Sequence, residues 1–216
     1  MDLDGDGRQD LISGSFPGEL YLFKRKPNGA FASSIVIKTA TGGTLHAGRA
    51  TAVAASDWNG DGLVDLIIGN IDGAVFFSPN TGVTSKPMFG KPQVIQANGA
   101  AIIASEGDAG PCVADWDGDG KLDLILGSGA GDVNWYRNIG TRTEPRLAAP
   151  VLLVQGSGPT AQTEDFDNPK SPGGRSKVHV ADWNGDKRLD LIVGDFSHMG
   201  GKSHGWVWVY LRKEKR

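Results

Sequence analysis

Four stretches of this chain set aspartates two residues apart on a glycine-bent loop: Asp2 to Asp10, Asp57 to Asp65, Asp115 to Asp123 and Asp182 to Asp190. Positions 1, 3, 5 and 9 of each stretch carry a carboxylate or an Asn amide. They are Asp2, Asp4, Asp6 and Asp10 in loop 1; Asp57, Asn59, Asp61 and Asp65 in loop 2; Asp115, Asp117, Asp119 and Asp123 in loop 3; and Asp182, Asn184, Asp186 and Asp190 in loop 4. Oxygens spaced this way can converge on one point, and three or four negative groups that close repel unless a hard cation such as Ca²⁺ lies among them. Ordinary Asp-Gly turns would explain one copy. They do not explain four with the same spacing. An EF-hand needs a bidentate Glu at position 12, where this chain has Ser13, Ile68, Leu126 and Val193.

The elements that must hold these loops repeat with them. Loop starts lie 55, 58 and 67 residues apart, the spacing of a supersecondary unit that recurs along the chain. Each loop runs into a short apolar segment, Leu11 and Ile12, Leu66 to Ile68, Leu124 to Leu126, or Leu191 to Val193, which predicts a strand covered on both faces. A glycine turn follows, then a third strand at Gly18 to Phe23, Gly73 to Phe77, Gly131 to Tyr136 and Gly205 to Tyr210. Asn80 to Ile95 matches Asn138 to Leu153 position by position, and the prolines in both suit an outer strand. Small-residue strands, Thr51 to Ala55, Pro111 to Ala114 and Lys177 to Ala181, precede the later loops and fit a crowded axis. Trp58, Trp116 and Trp183 at loop position 2 have apolar neighbours, so packing between units is a better reading than a ligand-stacking array.

Four antiparallel strands per unit, graded from small residues inside to prolines outside, describe an all-β fold of β-propeller blades. The units fall at about 1–49, 50–110, 111–176 and 177–216, with 155–176 as a flexible Pro-, Gly- and Ser-rich insertion. The strand inventory, three in the first unit, four in each of the next two and three in the last, predicts an incomplete arc of a larger propeller. Trp206, Trp208 and Tyr210 are expected on one uncovered side of the last blade.

The motif and its blade-like spacing resemble the FG-GAP and VCBS repeats, which share calcium-binding propeller blades with the integrin α-subunit head. The resemblance covers nearly the whole chain. It implies that the residues at positions 1, 3, 5 and 9 are metal ligands, with the position-7 carbonyls of Arg8, Leu63, Lys121 and Arg188 completing up to four Ca²⁺ sites. Loops 1 and 3, with four Asp each, are expected to bind more tightly than loops 2 and 4. Loop 4 is the weakest candidate, because Lys187 stands where the other loops have Gly7, Gly62 and Gly120, a place that favours positive φ. The resemblance further implies an extracytoplasmic protein, secreted, on the cell surface or periplasmic.

Composition narrows the partners. The loops hold 14 of the 25 acidic residues, so four bound divalent ions would carry the formal charge from −3 to about +5. The 22 Lys and Arg are scattered, without a basic helix or an aromatic platform, and no nucleic-acid partner is expected. No segment has the length of a membrane span, and no signal peptide opens the chain. Cys112 sits in an apolar run and reads as a buried structural thiol. His46 with Arg49, Glu106 with Asp108, and His198 with His204 are polar groupings without nucleophile, base and orienter at recognisable spacing, so no catalytic residue is assigned. Two functions stay open: a non-enzymatic adhesion or interaction module, and a carbohydrate-binding or carbohydrate-active propeller. The partner is accordingly a protein or a glycan, and either missing blades or self-association is expected to cover the ends of the arc.

Overall fold

A computed structural model describes residues 1–157, 172–199 and 202–213. The strands, in chain order, are β1 (Leu11–Ser13), β2 (Tyr21–Phe23), β3 (Ile35–Val36), β4 (Ala52–Ser56), β5 (Asp65–Gly69), β6 (Val75–Ser78), β7 (Gln93–Val94), β8 (Gln96–Ala97), β9 (Ala100–Ala101), β10 (Gly110–Ala114), β11 (Asp123–Gly127), β12 (Val133–Tyr136), β13 (Val151–Val154), β14 (Gly174–Ala181), β15 (Asp190–Met199), β16 (Lys202–His204) and β17 (Val207–Tyr210). There is no helix among the described residues.

The strands form four antiparallel sheets arranged as propeller blades, ordered β1-β2-β3, β4-β5-β6-β7, β10-β11-β12-β13, and β14-β15-β17 with β16 paired to the far end of β15. Leu11 faces Phe23 across the ladder as Leu66 faces Ser78, so β1 is the second strand of its blade and the first sheet has three strands. Loops 2, 3 and 4 each join a first strand to a second, which puts every aspartate loop at the same end of its blade. The inner strand of the last blade begins at Gly174, earlier than the sequence suggests, and residues 158–171 of the expected insertion lie outside the described residues. A small hairpin, β8 and β9, turns on Asn98 and Gly99, both at positive φ, the two-residue Asn-Gly turn that matches strand twist.

Strand alternation builds a core between each pair of neighbouring blades. Leu66 and Ile68 point to blade 1 and pack with Leu20, Leu22 and Leu45. Ile67, from the other face of the same strand, packs with Leu124, Leu126 and Tyr136 of blade 3. Ile125 then meets Leu191 and Val193 of blade 4. The sequence-based placement of the last aromatic strand needs correction here. Trp208 and Tyr210 pack on that third core, facing blade 3, because they pair across the ladder with the inward-facing Val193 and Leu191. The uncovered face carries Ile192, Val207 and Val209 instead; Val207 is 72% exposed. At the opposite end of the arc, Leu11 is 48% exposed.

A backbone clasp locks each blade to the next. The amides of Thr51 and Ala109, just before an inner strand, and of Ser176, near the start of β14, donate to the carbonyls of Ser15, Asn70 and Ser128, just after a second strand, at 3.0, 2.9 and 2.9 Å. The approach requires a glycine at the end of the second strand. A methyl group on Gly14, Gly69 or Gly127 would collide with the carbonyl of Thr51, Ala109 or Ser176. Gly194, the same position in blade 4, meets no following blade and has nothing closer than 3.9 Å.

Candidate metal centre

Loops 1, 3 and 4 are each wound by their own first aspartate, and in loop 2 Asp57 accepts from the Gly62 amide while Asn59 Oδ1 accepts from that of Asp61. The Asp115 carboxylate accepts from the amides of Gly118, Asp119 and Gly120 at 2.9, 3.0 and 2.9 Å. Asp2 does the same for Gly5, Asp6 and Gly7, and Asp182 for Gly185, Asp186 and Lys187. Winding the loop this way turns the amide behind position 6 to positive φ, at 82° in Gly7, 88° in Gly62 and 85° in Gly120. Lys187 takes the same conformation at φ 68°, so the substitution that sets loop 4 apart is absorbed as backbone strain.

The last aspartate is buried in every loop. It pins the loop to the blade, a role its sequence position does not announce. Oδ1 of Asp10, Asp65, Asp123 and Asp190 accepts from the backbone N–H of Arg25, Asn80, Asn138 and Arg212 at 2.9, 2.7, 2.7 and 2.8 Å. In loops 1, 2 and 4 the second oxygen accepts from the position-2 amide, Leu3, Trp58 or Trp183. Burial pushes the Asp65 carboxyl up to about 6 and raises that of Asp123, although these hydrogen bonds oppose the shift.

Between these two fixed ends the remaining carboxylates crowd. Oxygens of Asp2, Asp4 and Asp10 lie within 4.8 Å of one another, as do those of Asp115, Asp117 and Asp119. In loops 2 and 4, Asn59 Nδ2 and Asn184 Nδ2 donate to Asp61 and Asp186 at 2.9 and 3.0 Å. Among the described residues, three buried carboxylate oxygens have no hydrogen-bond partner: Asp4 Oδ1, Asp57 Oδ1 and Asp117 Oδ1. A buried anionic oxygen without a donor is costly, and one occurs in each of three loops. These residues fit a hard cation. The position-7 residues Arg8, Leu63, Lys121 and Arg188 all carry their amide toward position 5, with the amide N of Arg8, Leu63, Lys121 and Arg188 donating to Asp6, Asp61, Asp119 and Asp186.

Basic side chains also reach the loops. Lys24 Nζ lies 2.7 Å from Asp4 Oδ2, and this hydrogen bond holds the Asp4 carboxyl below the usual range. Arg137 spans Asp117 and Asp119 at 2.6 and 3.0 Å. Arg8, Lys121 and Arg188 pair with the position-5 carboxylates, and Arg142, from the next blade, reaches Asp57 at 3.3 Å.

Of the position-2 tryptophans, Trp58 and Trp116 are buried, and the Arg212 guanidinium stacks 4.6 Å over Trp116. Trp183 is 63% exposed. The polar groupings away from the loops have structural partners. His46 Nε2 lies 2.8 Å from the Pro17 carbonyl oxygen, Asp108 pairs with Lys177 at 2.9 Å, and His198 Nδ1 lies 2.8 Å from Ser203 Oγ. Among the described residues no helix is long and apolar enough to cross a membrane.

Comparison with curated proteins finds no match. A family model described as an FG-GAP-like repeat matches residues 2–68, 57–126 and 115–193, each time from one aspartate loop through the strand after the next. With matches running from loop 1 through the second strand of blade 4, the chain belongs to the FG-GAP-like repeat family.

Proposed function

We propose that this chain is a calcium-binding β-propeller module that acts without catalysis, in an extracytoplasmic setting, to engage a protein or glycan partner. The observation that carries the metal reading is the set of buried, unpartnered oxygens Asp4 Oδ1, Asp57 Oδ1 and Asp117 Oδ1. An all-oxygen donor set on a loop of backbone amides suits Ca²⁺ better than Mg²⁺, which demands a near-ideal octahedron and keeps its waters. Millimolar external calcium suits loops of modest affinity, and FG-GAP membership agrees with that setting.

The role of the ion is to stiffen the blade ends. Loops 2, 3 and 4 each join the first two strands of a blade, so an ion that removes repulsion there stabilises the fold by binding the native state alone. Melting of the chain in millimolar calcium and in chelator tests this, together with Asp117→Asn. Calcium should raise the melting temperature of the parent. In chelator Asp117→Asn should lose little stability, since it relieves the crowding with Asp115 and Asp119 and gives up only the half-exposed ion pair with Arg137. In calcium it should be less stable than the parent by about 1 kcal/mol, because removing one carboxylate weakens the ion's hold about tenfold without abolishing a site that then matches loops 2 and 4, with Asn59 and Asn184 at the same position. A parent melting temperature that calcium leaves unmoved overturns the reading. A glycan array probed with and without chelator assigns the partner class, and calcium-dependent binding to a defined glycan would make it carbohydrate.

A further inference from the structure

Charge around the four loops follows a rule that spans distant residues. The residues pinned by the last aspartate, Arg25, Asn80, Asn138 and Arg212, mark equivalent places in the four blades. The residue just before each is Lys24, Pro79, Arg137 or Leu211. Lys24 and Arg137 occur in the two blades whose loop has Asp at position 3, and each pairs with that very carboxylate, Asp4 or Asp117. Pro79 and Leu211 occur in the two blades with Asn59 and Asn184, which already donate a hydrogen bond to position 5. A fourth carboxylate and a facing cation are thus present together or absent together.

The count extends to the whole site. Loops 1 and 3 set four carboxylates against two paired cations, Arg8 and Lys24 or Lys121 and Arg137. Loops 2 and 4 set three carboxylates against one, Arg142 or Arg188. Every loop is left with a net charge of −2. Lys187, the remaining cation within the loops, joins no ion pair among the described residues.

We propose that Lys24 and Arg137 set the charge of loops 1 and 3, offsetting the fourth aspartate so that all four loops match one divalent cation. This inference rests on the calcium reading above. It reverses the simple expectation that four-Asp loops bind most tightly, since a tethered ammonium or guanidinium repels the ion that the extra carboxylate attracts. Side chains 10% and 11% exposed, Asp4 and Asp117, keep one oxygen on the tethered cation and the other buried without a partner. The tether shares its carboxylate with the site.

The repulsion scales with the charge of the ion, which gives a test that a merely structural role would not satisfy. Lys24→Met and Arg137→Met leave loops 1 and 3 at −3. For a charge roughly 6 Å from the ion in a water-like dielectric, calcium should bind about tenfold tighter and trivalent lanthanum about thirtyfold tighter. Titrating the folded, ¹⁵N-labelled chain with each ion, and following the amides of Gly7 and Gly120, reads the two loops separately. Arg137→Lys, which copies the loop 1 arrangement, should restore the parent value. Asp4→Asn combined with Lys24→Met, which returns loop 1 to −2, should bring back the parent preference between the two ions. Calcium shifts at the loop amides with affinities unchanged or weakened in Lys24→Met and Arg137→Met overturn the charge-setting role alone. Loop amides that ignore calcium altogether overturn the reading beneath it.

Discussion

At the scale of single residues, the aspartate loops were legible because everything that forms them is local. Asp115 caps amides three, four and five residues on, and the Gly pattern records the φ values this demands. What was not legible lies across the blade. Lys24 stands 20 residues from Asp4, and Arg137 stands 18 from Asp119. No local pattern joins them to the loops. The same distance hides the pinning role of Asp65, whose acceptor oxygen meets an amide 15 residues later. Two predictions belong here. Lys187 holds a conformation that costs an L-residue about 1–2 kcal/mol, and methyl-sized space is open at Gly7, Gly62 and Gly120, so the cost is backbone strain rather than a clash. Lys187→Gly should therefore stabilise the chain by about 1 kcal/mol in denaturant melts; a loss of stability would show that the Lys187 side chain contributes more than its φ costs. Cys112 is buried and its thiol is pushed up by desolvation, so alkylation near pH 8 should be slow in the native chain and fast after unfolding. Fast native labelling would contradict the packing of the third core.

At the scale of elements, strand order and loop position followed from the repeat, since blades 2, 3 and 4 restate the same sequence of small, apolar and aromatic strands and blade 1 joins it at the apolar strand. Two features escaped. The Asn98-Gly99 hairpin carries a strong local turn signal, but it lies outside the repeating pattern that organised the rest. The facing of Trp206 to Tyr210 depends on ladder register, and only the pairing of Trp208 with Val193 shows that the aromatic side turns inward. The clasp glycines give the sharpest prediction at this scale. Gly127→Ala drives a methyl into the Ser176 carbonyl and should cost on the order of 3 kcal/mol, whereas Gly194→Ala, at the equivalent place in blade 4, should be nearly neutral. Equal losses at both positions in urea melts would remove the clasp as the reason for glycine.

At the scale of the whole molecule, the two ends of the arc present opposite halves of the interface that recurs inside it. Leu11 occupies the place of Leu66, which faces the preceding blade, and Ile192 that of Ile67 and Ile125, which face the following one. With Leu11 48% exposed at one end and Val209 36% exposed at the other, copies of this 216-residue chain should stack head to tail. Sedimentation equilibrium should show mass rising with concentration in the parent and not in Val209→Lys; a parent that stays monomeric at high micromolar concentration contradicts the pairing of faces. The central claim, that aspartate loops at the same end of each blade hold calcium, is tested most directly by counting ions. Calcium-stripped, folded chain dialysed to equilibrium against millimolar calcium should take up close to four ions, one for each loop of the chain. A chain that keeps its folded sedimentation and circular dichroism yet retains no calcium contradicts the account.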